Sequence, residues 1–349
     1  MSVVAVVTSS PPFVEGGHLV IARALVEALR ADGHESDLIL TPQNRFGRQG
    51  AAYLANWLTD VGRTHDGRAV DQVISLRYPS YAVRHPRHVC WLLHTMREYY
   101  DQWEAFSRPL SWKGRIKERT RRRLIWTADR YLLGSRVSRL FVISGTVQRR
   151  LRTFGNIDSE VLYPPAPPRP YRTDDYEPYL FAVSRFTPLK RMALIVEALA
   201  RPEAAGIRAV LAGEGEQHAQ IARLVHEYGL ADRVSLPGRL TDRELLDHLA
   251  RCRAVVFPPF DEDYGFVTIE AFAAAKPVIT CADSGGPVEL VTDGKSGFVT
   301  APEAAALAGA MRRVIDDRGA AERMGRAGAE IAARHTWSQT VRRLLLPVD

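Results

Sequence analysis

Long apolar runs, cysteine pairs and internal repeats are all missing from this chain of 349 residues. No stretch approaches the roughly 20 apolar residues that a membrane-crossing helix needs. The short apolar run Met1–Thr8 follows no basic leader, so neither a span nor a signal peptide is expected. Cysteine occurs only at Cys90, Cys252 and Cys281. These are far apart, form no C-x-x-C pair and lack the even count of a disulfide framework, which excludes a stapled secreted scaffold and fits a reduced compartment. The expectation is a cytoplasmic protein, either free or peripheral at the inner face of a membrane. The glycines of Glu15-Gly16-Gly17 do not spell G-x-G-x-x-G. No acidic residue about 20 positions on follows a second strand in the fingerprint arrangement, which argues against dinucleotide binding. No nucleic-acid-binding module is recognisable, so no partner of that class is expected.

What the chain has in place of these is alternation of strand and helix, the pattern of a parallel sheet covered on both faces. Its length suits two cores of about 150 residues each. Val3–Val7 reads as a first strand, Ser9–Gly17 as a loop, and His18–Asp32 as a helix with Leu19, Ala22, Val26 and Leu29 at helical spacing and Gly33 ending it. Val73–Leu76, His88–Leu93 and Leu140–Ile143 read as further strands, and Ser144 as the cap of a helix running to Phe154. Tyr163–Pro170 is a stiff proline-rich linker. Beyond it, Leu180–Val183, Ala209–Leu211, Val234–Leu236 and Ala254–Phe257 supply strands of a second sheet, separated by helices such as Arg191–Leu199 and Ala219–Tyr228.

The most informative stretch is Glu262-Asp263-Tyr264-Gly265-Phe266-Val267-Thr268-Ile269-Glu270, a tight loop running into a helix predicted over Thr268–Ala275. The N–H groups of Phe266, Val267 and Thr268 at that helix start would form an anion site suited to a phosphate. Carboxylates repel phosphate, so Glu262 and Glu270 are read as turning aside to accept hydrogen bonds from vicinal hydroxyls, one set on a sugar ring and one on a ribose. An acidic helix start is the alternative, and these two residues alone do not separate the readings. Arg185 and Lys190, in Ser184-Arg185-Phe186-Thr187-Pro188-Leu189-Lys190, stand at the end of the second domain's first strand. There a planar guanidinium and a point charge can grip a diphosphate, or serve merely as solvated loop charges. His94, just past the apolar strand ending at Leu93, stands where ligands bind in open α/β sheets, or is a partly buried structural histidine. Gly16 and Gly17 permit close backbone approach to a ligand at the first strand-to-helix turn.

Glu-x7-Glu followed by Ala-Phe-Ala-Ala-Ala-Lys-Pro-Val-Ile resembles the signature of retaining glycosyltransferases of family four. The likeness continues through Ser284–Val291 and Asp293–Val299 and weakens toward both ends of the chain. It implies the α/β GT-B architecture, two Rossmann-like domains whose parallel sheets face a central cleft, with a nucleoside-diphosphate sugar donor (UDP or GDP) and retention of anomeric configuration. The domains would be 1–165, binding the acceptor and rejoined by a helix in 336–349, and 166–335, binding the nucleotide sugar. By the same resemblance Glu262 holds sugar hydroxyls, Glu270 the ribose, and Arg185 and Lys190 the leaving diphosphate, while His94 touches the donor sugar. Gly213 and the segment Arg239-Leu240 line the donor along with Asp263, Tyr264 and Gly265. Arg97 and Asp101 would meet a hydroxyl acceptor, or simply pave a helix. No cofactor is implied. The chain departs from the family at Ser184 and Ala275, where Gly is common, and at Pro164-Pro165, where Asn-Gly is common.

The formal net charge is +7, and cations crowd Lys113–Arg123, with Trp112, Ile116, Leu124, Ile125 and Trp126 nearby. A basic amphipathic helix over 113–126 fits an anionic membrane surface and a lipid-linked or polysaccharide acceptor; a solvated basic face is the plainer reading. Two further functional alternatives stand. Asp261-Glu262-Asp263 spells the D-x-D of metal-dependent glycosyltransferases, and a catalytically silent sugar-nucleotide binder can share the fold.

Overall fold

The computed structural model describes residues 1–11, 16–43 and 46–347; Glu15 of the first turn and residues 348–349 of the expected closing segment lie outside the described residues. Two compact units divide the chain, 1–167 with 336–349, and 168–335. In the first, β1 (Val3–Ser10) leads to α1 (Gly17–Ala31), β2 (Glu35–Pro42), α2 (Gln49–Leu58), β3 (Gln72–Ser75), β4 (His88–Leu92), α3 (Trp103–Ser107), α4 (Trp112–Tyr131), β5 (Arg139–Val142), α5 (Gly145–Gly155) and β6 (Glu160–Val161). Its sheet has the order β2-β1-β3-β4-β5-β6, every pair parallel. The helical spacing read in α1 does bury Leu19, Ala22, Val26 and Leu29.

The second unit runs through β7 (Glu177–Val183), α6 (Met192–Leu199), β8 (Arg208–Ala212), α7 (His218–Glu227), β9 (Val234–Gly238), α8 (Asp242–Arg251), β10 (Cys252–Val256), α9 (Phe266–Ala273), β11 (Val278–Cys281), α10 (Gly286–Leu290), β12 (Gly297–Thr300), α11 (Ala304–Asp316) and α12 (Arg318–Ala333). Its sheet order is β12-β11-β10-β7-β8-β9, again all parallel. Leu180, Leu211, Ile279 and Met311 are buried in its core. Burial of each such side chain contributes about 1.5–3 kcal/mol before entropy is counted. The chain then returns to the first unit as α13 (Trp337–Leu344). There the Trp337 indole N–H donates to Ala166 O at 3.0 Å, and Gln72 bridges Leu344 O and Leu346 N at 2.7 and 2.9 Å.

Four strands have no counterpart among the expected ones, one of them the two-residue β6. β2 mixes polar and apolar residues at a sheet edge, while β11 and β12 have four residues each, too short for periodicity to register. Among the described residues no helix is long and apolar enough to cross a membrane. The two sheet orders fix where a ligand site can form. In the second, strand order reverses between β7 and β10; in the first, between β1 and β3. Ligands in open α/β sheets bind outside the carboxyl ends of the strands at such a reversal.

Candidate active site

At the β7/β10 reversal the loop leaving β7 is held from below by glycines. A Cβ on Gly213 would lie 1.7 Å from Ser184 O, and one on Gly215 2.4 Å from Phe186 O. Gly213 also adopts φ 134, a conformation that L side chains rarely take. Phe186 N donates to Glu214 O at 2.8 Å, so the strand-end glycine loop lies directly against the segment that carries Arg185. Arg185 is exposed, and its guanidinium makes no hydrogen bond or ion pair among the described residues. A single turn of 3-10 helix, Pro188–Lys190, then aims Lys190 at Glu262, whose Oε2 it contacts as an ion pair.

Arg191, to which no sequence pattern gives a role, ties the site together. It stands at φ 48 and donates to Pro258 O (2.8 Å), to Pro259 O (2.6 Å) and to both Asp283 oxygens (2.9 and 2.6 Å). One side chain thus joins the loops that follow β7, β10 and β11. The adjacent cations Lys190-Arg191 are visible in the sequence; that one points to Glu262 and the other to Asp283 is not.

The loop after β10 is as tightly held. Asp261 N and Glu262 N donate to Asp283 O and Ser284 O, each at 2.9 Å, and Gly286 N returns to Glu262 O at 2.8 Å. A Cβ on Gly285 would fall 2.5 Å from Glu262 O, and one on Gly286 2.5 Å from Tyr264 Cα. The Gly285-Gly286 pair is therefore what lets the Glu262 loop close down. Gly265, at φ 80, precedes α9. The helix begins at Phe266, two residues before the predicted start, and ends at Ala273. Thr268 N donates to Gly265 O at 2.9 Å, which corrects the expectation that its amide is free. The Tyr264 side chain is buried, so only its backbone is left to line a ligand site. Phe266, Val267 and Asp263 are half-buried.

Glu270 lies in α9 with its side chain only 10% exposed. Its Oε1 accepts from Arg169 Nη1 at 2.5 Å and from the Tyr171 hydroxyl at 3.0 Å. Burial pushes its carboxyl above the usual range, against the pull of Arg169 and Tyr171. Arg169 comes from the stretch read only as linker, and it also reaches Asp242 at 3.1 Å. At the end of β9, Arg239 is exposed and Leu240 half-buried.

In the first unit, Gly16 and Gly17 open α1 beside the β1/β3 reversal, and a Cβ on Gly16 would meet His18 Nδ1 at 3.2 Å. His94 is half-buried two residues past β4, with Nδ1 3.0 Å from Thr95 O. Arg97 and Asp101 do not pave a helix. Arg97 begins a single 3-10 turn and pairs with Asp101 at 2.5 Å, while the other Asp101 oxygen lies 2.7 Å from the buried Arg150. Among the described residues no three His, Cys, Asp or Glu side chains are grouped so as to hold a metal ion.

Residues 168–331 match the family model described as glycosyl transferases group 1. Over 169 residues the chain is 34% identical to the D-inositol 3-phosphate glycosyltransferase of Mycolicibacterium smegmatis, covering 47% of this chain and 38% of that protein. It is 36% identical over 126 residues to a glycogen synthase of Mycobacterium tuberculosis, covering 36% and 30%. The matches thus span well under half the length of these relatives. Among solved structures, a sucrose-phosphate synthase from Thermosynechococcus elongatus superimposes with a TM-score of 0.75 at 18% identity, covering 97% of this chain and 96% of that one. HepE of Anabaena, in complex with UDP and glucose, gives 0.68 at 19%, covering 97% and 98%; WaaG, a glycosyltransferase involved in lipopolysaccharide biosynthesis, gives 0.70 at 16%, covering 98% of each. These likenesses establish the GT-B fold.

Proposed function

We propose, from the match of residues 168–331 to the group 1 glycosyl transferases, that the chain moves a hexose-type sugar from a nucleoside-diphosphate sugar to a hydroxyl acceptor with retention and without a metal. The donor occupies the second unit and the acceptor the first. The observation that carries this is the β7/β10 reversal, where an unpaired Arg185 stands beside the Lys190–Glu262 pair and the Gly265 turn. Arg185 and the spare donors of the Lys190 ammonium take the diphosphate oxygens, and the Phe266 and Val267 amides add to them. Glu262, with Oε2 on Lys190, offers Oε1 to the sugar hydroxyls, and Glu270 offers Oε2 to the ribose. As the bond from the anomeric carbon to the phosphate oxygen breaks, the acceptor oxygen bonds to that carbon on the same face, and its proton passes to the departing phosphate oxygen. By the resemblance, His94 is assigned to the donor sugar. HepE, of the same fold, is described in complex with UDP and with UDP-glucose, which favours UDP over GDP in this reading.

The acceptor in this proposal is lipid-linked, and α4 lies on an anionic membrane surface, as its exposed Trp112, Ile116 and Leu124 among cations support. Thermal stabilisation by UDP, GDP and their sugars, with EDTA and with manganese, tests the donor half. A metal-independent shift with one nucleotide is expected. A shift that needs manganese would favour the Asp261/Asp263 metal reading instead, and no shift with any nucleotide would overturn sugar-nucleotide binding.

A further inference from the structure

α4 contains only two acidic residues, Glu118 and Asp129, and both turn inward. Glu118 accepts from the Tyr99 hydroxyl at 2.7 Å and pairs with Arg121 at 2.6 Å. Asp129, fully buried, accepts from Tyr53, Tyr81 and Tyr100 at 2.5, 2.5 and 2.6 Å. Every exposed charge on the helix is therefore positive. Its first two turns and α3 enclose a cavity of about 490 Å³ whose walls carry Arg108, Arg115 and Arg119 against a single acid, Glu104. Arg115 is fixed at the wall by donating to Ser107 O and Arg108 O at 3.3 and 3.4 Å. The guanidinium groups of Arg108 and Arg119 have no hydrogen-bond or ion-pair partner among the described residues. Around the helix, at successive 100° steps, Arg115 and Arg119 lie immediately beside the exposed Trp112 and Ile116.

We propose that this cavity is a binding site for the phosphate group of an amphiphile: the three arginines hold the phosphate while Trp112 and Ile116 take the adjoining chain. A guanidinium suits phosphate because its planar fork matches two oxygens at once. A nucleic acid would use the cations but not the apolar stripe, which is why the amphiphile is favoured. The site deepens the membrane-surface reading of the same helix and rests on it for the source of the ligand, but the pocket is testable apart from any bilayer.

The test is calorimetric titration of the full chain with dihexanoyl phosphatidic acid, kept below its micelle concentration, and separately with inorganic phosphate. Binding of the lipid is expected, with Arg108→Gln/Arg119→Gln weakening it by about tenfold or more, the usual cost of losing charged hydrogen bonds. Both side chains lack protein partners, so the variant should melt like the wild type. Trp112→Ser/Ile116→Ser should weaken the lipid but not inorganic phosphate; if phosphate binds as tightly as the lipid and this variant changes neither, free phosphate is the source and the amphiphile assignment falls. Wild-type affinity for both probes in the double arginine variant overturns the site. Co-sedimentation with vesicles of phosphatidylglycerol tests the surface reading separately: its absence beside intact dihexanoyl binding removes that reading and leaves the pocket standing.

Discussion

The β7/β10 reversal and the outer face of α4 are both rich in cations, yet they dispose of that charge in opposite ways. At the reversal each cation but one is tied down: Lys190 to Glu262, Arg191 to Asp283, Arg169 to Glu270 and Asp242, leaving Arg185. Along α4 the acids are withdrawn into the core and the exposed cations are left facing water. Locked pairs hold groups to within fractions of an ångström, as the proposed chemistry on a diphosphate requires. Unlocked ones give a field that attracts an anionic surface and leave guanidinium groups free to close on a headgroup phosphate once it arrives.

Removing charge from each region in turn separates the two arrangements most widely. Glu262→Ala or Lys190→Ala should lower kcat/KM for sugar transfer by about a thousandfold, the scale seen when a transition-state charge contact is lost. Lys113→Gln/Lys117→Gln should leave transfer to a soluble acceptor within about twofold, because exposed surface charges contribute little locally. Equal losses from the two variants would show that the locked pairs and the open face do not differ in role.

Next in size is the anchor that holds α4 in place. Asp129→Ala strands three buried hydroxyls, so the first unit should lose about 3 kcal/mol in urea unfolding. Burial raises the Asp129 carboxyl above its ordinary range. The folded chain therefore keeps that proton to higher pH than the unfolded chain does. The stability this contributes is full below the unfolded value of about 3.9 and is lost as pH rises through the folded one. Asp129→Asn cannot ionise, so between pH 4 and 7 the wild type should lose stability relative to it; a difference that stays flat across that window would mean Asp129 is charged throughout.

How much of this is legible in the sequence depends on how far apart the partners lie. Gly265 before an Ala-rich helix, and Arg185 and Lys190 after an apolar strand, are local patterns. They mark the β7/β10 reversal as a ligand site, while the GT-B fold is implied only by the resemblance that Glu262, Glu270 and the residues after them carry. Arg191 with Asp283 spans 92 positions, Arg169 with Glu270 spans 101, and Tyr53 with Asp129 spans 76. Nothing in the periodicity around Arg169 marks it as more than linker, and nothing around Asp129 distinguishes a carboxylate held by three tyrosines from one facing solvent. In the sequence Gly285-Gly286 carries only a resemblance; its reason lies in the Glu262 backbone pressed against it.

The smallest effect should come from a place in the second unit where strain is kept away from the chemistry. α9 ends in a Schellman arrangement, with Lys276 N donating to Ala271 O at 2.8 Å and Ala275 N to Phe272 O at 2.9 Å. The residue in the left-handed position is Ala275, at φ 51, where the resembling family commonly has glycine. An L side chain there costs about 1–2 kcal/mol, while a glycine gives the unfolded chain about 0.4–1 kcal/mol of extra freedom. Ala275→Gly should therefore stabilise by about 0.5–1 kcal/mol, a rise in Tm of roughly 1–4 °C for a unit of this size. The Lys190–Glu262 pair, beyond the other end of the same helix, is untouched, so transfer should be unchanged. A fall in Tm would mean that the Ala275 methyl contributes packing worth more than its backbone strain, and that the second unit carries no such reserve.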